Sequence, residues 1–326
     1  MKRVPLVFGG ADYWDRTLAL IDGVVQPEGI DLHWVMKYPG EFFGQMIRGE
    51  FEAGEMSAGF LVMLAGQGNP MLVGLPLFTS RAFRHGNIII HADAGIEKPQ
   101  DLKGRRVGVP DYPMTSAIWV RGFLKDDFGV AAEDMEWFQG GLDSPGFVER
   151  VPTSVPSHIK LTTVQDRSLL DMFLNRELDA ITGPALPRNL AGNPKVKLLF
   201  PNHKEVEKEY HARTGFFPIT HMVVMRRDVY ERHRWMARSL CDAFERSKQI
   251  GWQEYGRHQA GNAPWLSFYL REITQEFGGN PYKDGFQENL PVLEALTRYC
   301  HEQGLTKRKI DPAELFAPET LIPSGH

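Results

Sequence analysis

A short strand leads directly into an apolar helix in the stretch Phe51-Glu52-Ala53-Gly54-Glu55-Met56-Ser57. The strand is predicted over Phe51 to Glu55. Ser57 is a residue type that commonly caps a helix, here the apolar run Phe60 to Leu64. The same order of strand and helix recurs on both sides of this stretch. Because strands that alternate with helices of about ten residues are typical of parallel βαβ units, the sequence predicts an α/β protein.

Two neighbouring regions show how this order continues. Val4–Phe8 is predicted as a short buried strand that a glycine pair ends. Asp12 is expected to cap a helix over residues 14–25, with Asp15 completing a capping box. Later in the chain, a helix is predicted over Ala117–Leu124, and a long helix is predicted over residues 228–252.

The chain is predicted to form two lobes with a cleft between them. Lobe 1 comprises residues 1–92 and 219–326, including a helical C-terminal tail, and lobe 2 comprises residues 93–218. A length of 326 residues suits two domains of roughly 100–200 residues each. Ligands of open α/β sheets bind beyond the carboxyl ends of the strands. The loops to inspect therefore include Gly9–Arg16, Glu55–Ser57, Thr79–Asn87, Asp111–Ser116 and Thr220-His221.

Composition excludes several classes of protein. With 42% hydrophobic and 24% charged residues, the chain can build packed cores, so disorder is excluded. A balance of 37 basic against 41 acidic residues gives no general attraction for nucleic acid. No apolar run approaches the roughly 18–20 residues of a membrane helix. Two cysteines form neither a disulfide framework nor a metal cluster. A cytoplasmic location is expected because no signal-peptide pattern is visible. Whether the protein forms a homo-oligomer is left open.

A set of motifs spread over nearly the whole chain is similar to one enzyme family. The motifs include Ser80-Arg81-Ala82-Phe83-Arg84-His85, Trp137-Phe138-Gln139-Gly140-Gly141, Gly215-Phe216-Phe217-Pro218-Ile219-Thr220-His221 and Leu315-Phe316-Ala317-Pro318. Together with Phe51–Ser57, they resemble the 4,5-dihydroxyphthalate decarboxylases. The resemblance implies a type II periplasmic-binding-protein-like fold with two lobes. It also implies a carboxy-lyase that acts on a small aromatic dicarboxylate. This second implication comes from the family, because a fold alone does not settle function.

The reaction that the resemblance implies is a non-oxidative decarboxylation in phthalate catabolism. It converts 4,5-dihydroxyphthalate to 3,4-dihydroxybenzoate (protocatechuate) and carbon dioxide. No cofactor is predicted, since no GxGxxG, HExxH or CxxC spacing exists. A divalent metal stays an open alternative, including one held by His85 and His221.

Arginines on two predicted cleft loops are candidates for binding the substrate. Arg81 and Arg84, with His85, follow a buried strand, and two guanidiniums there could clamp carboxylates with paired hydrogen bonds. A solvated turn is the alternative. Arg16 follows Asp15 in the first turn of the first predicted helix, where a cation is unfavourable without a partner. That partner is either a substrate carboxylate or a neighbouring aspartate.

Helix starts supply further candidates. The amides near Ser57 and Thr115 could bind an anion, although capping alone is the alternative for both residues. Glu55 is predicted as either a general base or a helix cap. Arg121 lies within two turns of Thr115, and it either contacts substrate or forms a surface ion pair with Asp126 or its neighbour Asp127.

His221 lies where the chain is predicted to return from lobe 2 to lobe 1. Histidine can give or take a proton near neutral pH, so His221 and His85 are the candidates for the catalytic proton transfer. A purely structural role is the alternative for each.

Two other functions share the implied fold. A solute-binding protein for an aromatic acid, in an ABC-type uptake system, predicts an export signal or a lipid-attachment cysteine, and neither pattern is visible. A pyrimidine-synthase relative, as in thiamine biosynthesis, relies on a cysteine-rich stretch, which Cys241 and Cys300 do not provide. Release of carbon dioxide from a hydroxylated phthalate distinguishes the enzyme from both.

Overall fold

The computed structural model describes residues 3–37, 41–68, 71–149, 155–187, 190, 192–256 and 263–322. The chain divides into two compact units. Unit 1 comprises Met1–Arg81, His221–Leu293 and Asp311–His326, and unit 2 comprises Ala82–Thr220 and Glu294–Ile310. Each unit is built around one β-sheet with helices, which confirms the predicted α/β class. The predicted cleft between two lobes stays a prediction.

Unit 1 contains a five-stranded sheet with the order β2-β1-β3-β11-β4. Its strands are β1 (Val4–Gly10), β2 (Ile30–Met36), β3 (Ala53–Ser57), β4 (Leu72–Arg81) and β11 (Ile219–Arg226). Its helices are α1 (Leu18–Ile21), α2 (Glu41–Ile47), α3 (Ala58–Gly66), α7 (Arg227–Arg232), α8 (Trp235–Ile250) and α9 (Leu266–Phe277), and α10 (Phe286–Glu302) is divided between the units at Leu293. The buried face of the sheet packs against Leu240 and Phe244 of α8.

Strands β1 and β3 run parallel and approach each other closely at glycines. Gly9 pairs with Gly54 in the ladder. A Cβ atom on Gly54 would lie 2.6 Å from the Gly9 carbonyl oxygen, a distance that no side chain tolerates. The glycines therefore allow β3 to lie against the end of β1, and this brings Glu55 to the loop that follows β1.

Unit 2 contains a six-stranded sheet with the order β10-β5-β9-β6-β7-β8. Its strands are β5 (Ile88–His91), β6 (Arg106–Val109), β7 (Glu136–Gln139), β8 (Lys160–Thr163), β9 (Ala180–Thr182) and β10 (Val196–Leu198). Its further helices are α4 (Thr115–Phe128), α5 (Leu169–Leu174) and α6 (His203–Thr214). Large aromatic side chains, Trp119 and Trp137 among them, fill the interior of this unit.

The two units are divided differently from the predicted lobes. Residues 82–92 are predicted in lobe 1 but belong to unit 2, because β5 pairs with β9 and β10. Residues 294–310 also belong to unit 2, where the Tyr299 ring packs on Gly122. A Cβ on Gly122 would lie 2.4 Å from that ring. Residues 219–220 are predicted in lobe 1 but also belong to unit 2. The first two differences arise from long-range contacts that the local sequence pattern does not encode.

Two predicted helices also differ from the observed ones. The helix predicted over residues 14–25 is wrong in extent, since α1 covers only Leu18–Ile21. Asp12 is exposed and does not cap it. The Thr17 hydroxyl instead accepts a hydrogen bond from the Tyr13 amide at 2.7 Å and closes a turn over the preceding residues. The helix predicted over residues 228–252 is interrupted at His233, which separates α7 from α8.

Candidate active site

A fully buried carboxylate belongs to Glu55, the middle residue of β3. Its Oε1 atom accepts a hydrogen bond from the Ala11 amide at 2.9 Å. Its Oε2 atom accepts one from the Tyr13 hydroxyl at 3.3 Å. Because Glu55 is a strand residue whose oxygens face the loop after β1, its predicted alternative role as a helix cap is wrong.

His221 lies beside this carboxylate. Strand β11 runs antiparallel to β3, which places His221 opposite Ser57 and Val223 opposite Glu55. The His221 Nδ1 atom lies 3.4 Å from Glu55 Oε2. The angles do not meet those of a hydrogen bond, so the contact is electrostatic. The Phe43 ring meets the imidazole edge-on at 5.1 Å, and 16% of the His221 side chain stays exposed.

Tyr13 is a member of this cluster that the sequence does not predict. Burial raises the pKa of Tyr13, and the neighbouring Glu55 carboxylate raises it further, while Arg16 acts in the opposite direction. Tyr13 therefore remains protonated and donates its hydrogen bond. The available signal is its place in the loop Gly9–Arg16, directly after β1, where ligands of α/β sheets commonly bind.

Arg16 extends the cluster with a positive charge. Its guanidinium lies 3.5 Å from the centre of the Tyr282 ring and 4.4 Å from that of Tyr13. It also forms an ion pair with Asp15 at 3.2 Å, so the aspartate partner expected as one alternative is present. Among the described residues, the Nε atom of Arg16 has no hydrogen-bond partner. Arg16 thus retains a donor for a further acceptor.

Arg81 is held by groups of unit 1. It donates hydrogen bonds to the Lys283 carbonyl oxygen at 2.7 Å and to the Asn289 side chain. Burial lowers the pKa of Arg81 to about 10, an effect that Asp284 opposes, so the guanidinium remains charged at neutral pH. These contacts tie the end of β4 to the segment around the start of α10. A role in binding carboxylate stays a prediction for Arg81.

Arg84 and His85 are buried in unit 2. Arg84 donates a hydrogen bond to the Pro184 carbonyl oxygen at 2.8 Å. The His85 ring stacks on Phe123 at 4.0 Å, and it also packs against Phe200 and Tyr210. Burial lowers the pKa of His85 to about 4, so the imidazole is neutral at neutral pH. Burial among aromatic rings therefore disfavours the imidazolium form of His85, and its role in proton transfer stays a prediction.

The two predicted helix starts are present. Ser57 is the N-cap residue of α3, but its side chain makes no capping hydrogen bond. Thr115 is the first residue of α4, after the N-cap residue Met114. Both side chains are buried, and their predicted contacts with substrate stay predictions.

Arg121 is a buried residue of α4, so the expected surface ion pair is wrong. Its guanidinium donates hydrogen bonds to the Gln303 side chain at 2.7 Å and to the Tyr112 carbonyl oxygen at 2.8 Å. Asp126 and Asp127 pair with Arg298 and Arg213 instead. The contacts of Arg121 indicate that it stabilises unit 2.

Relatives with sequence similarity identify the family. The chain is 33% identical over 326 residues to the 4,5-dihydroxyphthalate decarboxylase of Comamonas testosteroni, and the match covers 98% of each protein. This chain belongs to the 4,5-dihydroxyphthalate decarboxylase family. It is also 34% identical over 204 residues to the enzyme of that name from Pseudomonas putida, covering 62% of this chain and 79% of the relative. The predicted family and its carboxy-lyase class are confirmed.

The fold of this family member is shared with solved binding proteins. The periplasmic aliphatic sulphonate binding protein SsuA of Escherichia coli aligns with a TM-score of 0.55 at 13% identity, covering 97% of this chain and 98% of that one. The periplasmic sulfonate-binding protein of Methylobacillus flagellatus KT aligns with a TM-score of 0.58 at 13% identity, covering 97% and 92%. A family model described as NMT1/THI5 like matches residues 17–149. The predicted periplasmic-binding-protein-like fold is confirmed, and identities this low show the fold alone.

The described part of the chain lacks two features, a metal cluster and a membrane-spanning helix. No three His, Cys, Asp or Glu side chains cluster there in a way that could hold a metal ion. Within the same residues, no helix combines the length and the apolar character that crossing a bilayer requires.

The burial of His85 predicts an acid-sensitive stability. Its folded-state pKa of about 4 lies below the ordinary value of 6.5, so the unfolded chain takes up the proton first as the pH falls. The resulting stability is present above pH 6.5 and is lost towards pH 4, with a total of about 3 kcal/mol. We expect His85→Phe to reduce the fall in melting temperature between about pH 7.5 and about pH 5. His33→Phe, at an exposed histidine, should leave that fall unchanged. An equal fall in His85→Phe and the wild type would contradict the assignment.

The buried position of Arg121 gives a second stability prediction. Arg121→Met removes both donors and leaves the Gln303 and Tyr112 acceptors unpaired, so we expect a loss of about 2–4 kcal/mol in the free energy of unfolding. Urea unfolding measures this loss. Arg213→Met is the control, since Arg213 is 58% exposed and its ion pair with Asp127 should contribute less than about 1 kcal/mol. A stable Arg121→Met protein with a raised KM would instead support the predicted contact with substrate.

Proposed function

We propose that this protein decarboxylates a hydroxylated aromatic dicarboxylate, 4,5-dihydroxyphthalate, to 3,4-dihydroxybenzoate and carbon dioxide. The observation that carries the proposal is the pair of Glu55 and His221 at the sheet of unit 1. Full-length similarity to a relative named for this activity supports the same substrate. The relative's name and the local chemistry therefore favour one reaction.

The reaction needs an acid and a binding site for a dianion. Each carboxylate of the substrate is para to a hydroxyl group, which stabilises the cation formed when a proton adds to the ring carbon bearing the carboxylate. The bond from that carbon to the carboxylate then breaks, and its electron pair returns to the ring. One proton is consumed, carbon dioxide leaves, and no oxidant or reductant is required.

We assign the acid to His221. Its Nδ1 atom faces Glu55, which leaves Nε2 as the nitrogen that can meet the substrate. A carboxylate at this distance attracts the positive charge of an imidazolium ring. Since Glu55 is fully buried, the attraction acts in a medium of lower dielectric constant than water and is correspondingly stronger. After turnover, water can return the proton to His221.

We assign the binding of a substrate carboxylate to Arg16, a residue of unit 1. Its Nε atom has no partner among the described residues, and its guanidinium is braced by two tyrosine rings. The positive charges of Arg16 and Arg81 act on each other, since Arg16 contributes to the lowered pKa of Arg81. A dianionic substrate would relieve this repulsion, and a charge-assisted bond to arginine contributes about 1.5–3 kcal/mol.

The proposal is tested by incubating the purified protein with 4,5-dihydroxyphthalate. We expect carbon dioxide and 3,4-dihydroxybenzoate in equal amounts, by gas detection and product mass, while phthalate without hydroxyls is not consumed. Parallel reactions with a chelator and with added divalent metal test the open question of a metal. Tight binding without release of carbon dioxide would contradict the proposal and favour a solute-binding protein. A cytoplasmic location is a further proposal, which fractionation of the native host tests.

A further inference from the structure

The Tyr282 ring contacts Arg16 from a segment that is distant in sequence. Its centre lies 3.5 Å from the guanidinium carbon of Arg16, closer than the Tyr13 ring at 4.4 Å. A cation above an aromatic face is attracted by the ring, and the attraction strengthens where water is excluded. Only 11% of the Arg16 side chain is exposed. The contact with Tyr282 is therefore a strong restraint on the guanidinium.

The segment between α9 and α10 carries Tyr282 and is fixed to β4. The Asp284 Oδ1 atom accepts a hydrogen bond from the Phe78 amide at 2.8 Å. The neighbouring Lys283 carbonyl oxygen accepts one from the Arg81 side chain at 2.7 Å. Two successive residues after Tyr282 are thus bonded to the same strand, which limits the movement of the segment.

The same segment is also fixed to α8 by a buried ion pair. The Lys248 Nζ atom lies 3.0 Å from Asp284 Oδ2 and also pairs with Glu245. The lysine side chain is only 8% exposed, and breaking a buried ion pair by removing one partner is strongly unfavourable. The Tyr282 amide in turn donates a hydrogen bond to the Asn280 side chain at 2.9 Å. Tyr282 is therefore held against Arg16 by a backbone that is anchored on two elements.

We propose that Tyr282 is a positioning residue that holds the Arg16 guanidinium in the orientation needed to bind a substrate carboxylate. The inference rests on the proposed function, because Arg16 is the group assigned there to the carboxylate. No substrate contact is required of Tyr282, since it acts through Arg16.

Holding the guanidinium in place has a direct effect on affinity. A long side chain that is free to rotate loses that freedom when it binds a ligand, and the loss weakens binding. Here two tyrosine rings contact the guanidinium, and Asp15 accepts a hydrogen bond from its Nη1 atom at 3.2 Å, so the group is ordered before a ligand arrives. A guanidinium directs its donors within its own plane, whereas an aromatic ring stacks on its face. Stacking on Tyr282 therefore leaves in-plane donors for a planar carboxylate.

The experiment measures the binding of phthalate, which has both carboxylates but no hydroxyl groups, by isothermal titration calorimetry. Tyr282→Leu removes the ring, so we expect the dissociation constant to rise about 5–20-fold. Tyr282→Phe keeps the ring and should restore binding to within about twofold of the wild type. For 4,5-dihydroxyphthalate, Tyr282→Leu should raise KM by a similar factor, with a much smaller change in kcat.

A double-mutant cycle separates positioning from a general structural effect. Arg16→Ala should weaken phthalate binding, and adding Tyr282→Leu to it should change the dissociation constant by less than about twofold. An equal effect of Tyr282→Leu with and without Arg16 would overturn the inference. Wild-type protein that binds phthalate no more tightly than Arg16→Ala would overturn it as well.

Phe268→Leu is the matched control in unit 1. The Phe268 ring lies 4.8 Å from the Arg271 guanidinium and is 62% exposed, so the same kind of contact is lost and phthalate binding should stay unchanged. If circular dichroism shows that Tyr282→Leu does not fold, Tyr282→Met fills the space without an aromatic face, and the same criteria apply to it. Because the calorimetry needs no turnover, an effect of Tyr282→Leu that depends on Arg16, in a protein that releases no carbon dioxide, would refute the proposed function alone.

Discussion

His221→Gln is expected to lower kcat for decarboxylation by about 10²–10⁴-fold with little change in KM. Glutamine can still donate a hydrogen bond but cannot transfer a proton near neutral pH. The ring carbon of the substrate must then be protonated by water, which the site does not position. Steady-state kinetics of carbon dioxide release measures the effect, and circular dichroism confirms that the variant folds.

The control for this variant is His33→Gln, at a histidine whose side chain is 57% exposed and paired with Asp31. It should retain wild-type kinetics. A folded His221→Gln protein with wild-type kcat would show that the acid is another group or water. A large rise in KM with unchanged kcat would instead place His221 in substrate binding.

Glu55→Gln is expected to lower kcat by about 10²–10³-fold, since the neutral amide no longer places a negative charge beside the His221 ring. Steady-state kinetics of carbon dioxide release measures the effect, and circular dichroism confirms that the variant folds.

Glu52→Gln is the matched control, because the Glu52 carboxylate, just before β3, accepts a hydrogen bond from the Val7 amide of β1 at 2.9 Å. It should leave kcat unchanged. If Glu55→Gln and Glu52→Gln had equal effects on kcat, the Glu55 carboxylate would be a structural group and the assignment of the pair would fail.

Part of this site follows from the sequence. The alternation of strands and helices predicts the α/β class, and the passage from β3 into α3 places Ser57 at a helix start. Glu55 and His221 are both predicted as candidates, from their places at a strand end and at a chain crossing. Their proximity is not predicted, because it depends on the antiparallel register of β11 with β3, across about 165 residues of chain.

Other features depend on burial, which the local pattern does not reveal. Arg81, Arg84 and His85 form a cationic run in the sequence, yet His85 packs among aromatic rings and Arg84 donates to a backbone carbonyl. Arg121 is similarly engaged with Gln303, far along the chain. Charged side chains are mostly exposed in proteins, so their burial here could only be found from the tertiary contacts.

The absence of space for a side chain at Gly54 has a consequence for engineering. The backbones of Gly9 and Gly54 are in direct contact, and this contact fixes the distance between the Ala11 amide and Glu55. The Glu55 side of the site is therefore preorganised without any ligand. A substitution at Gly54 would be expected to damage catalysis from a position that need touch no substrate. Attempts to redirect the protein to another aromatic acid should therefore leave the contact of Gly9 with Gly54 unaltered.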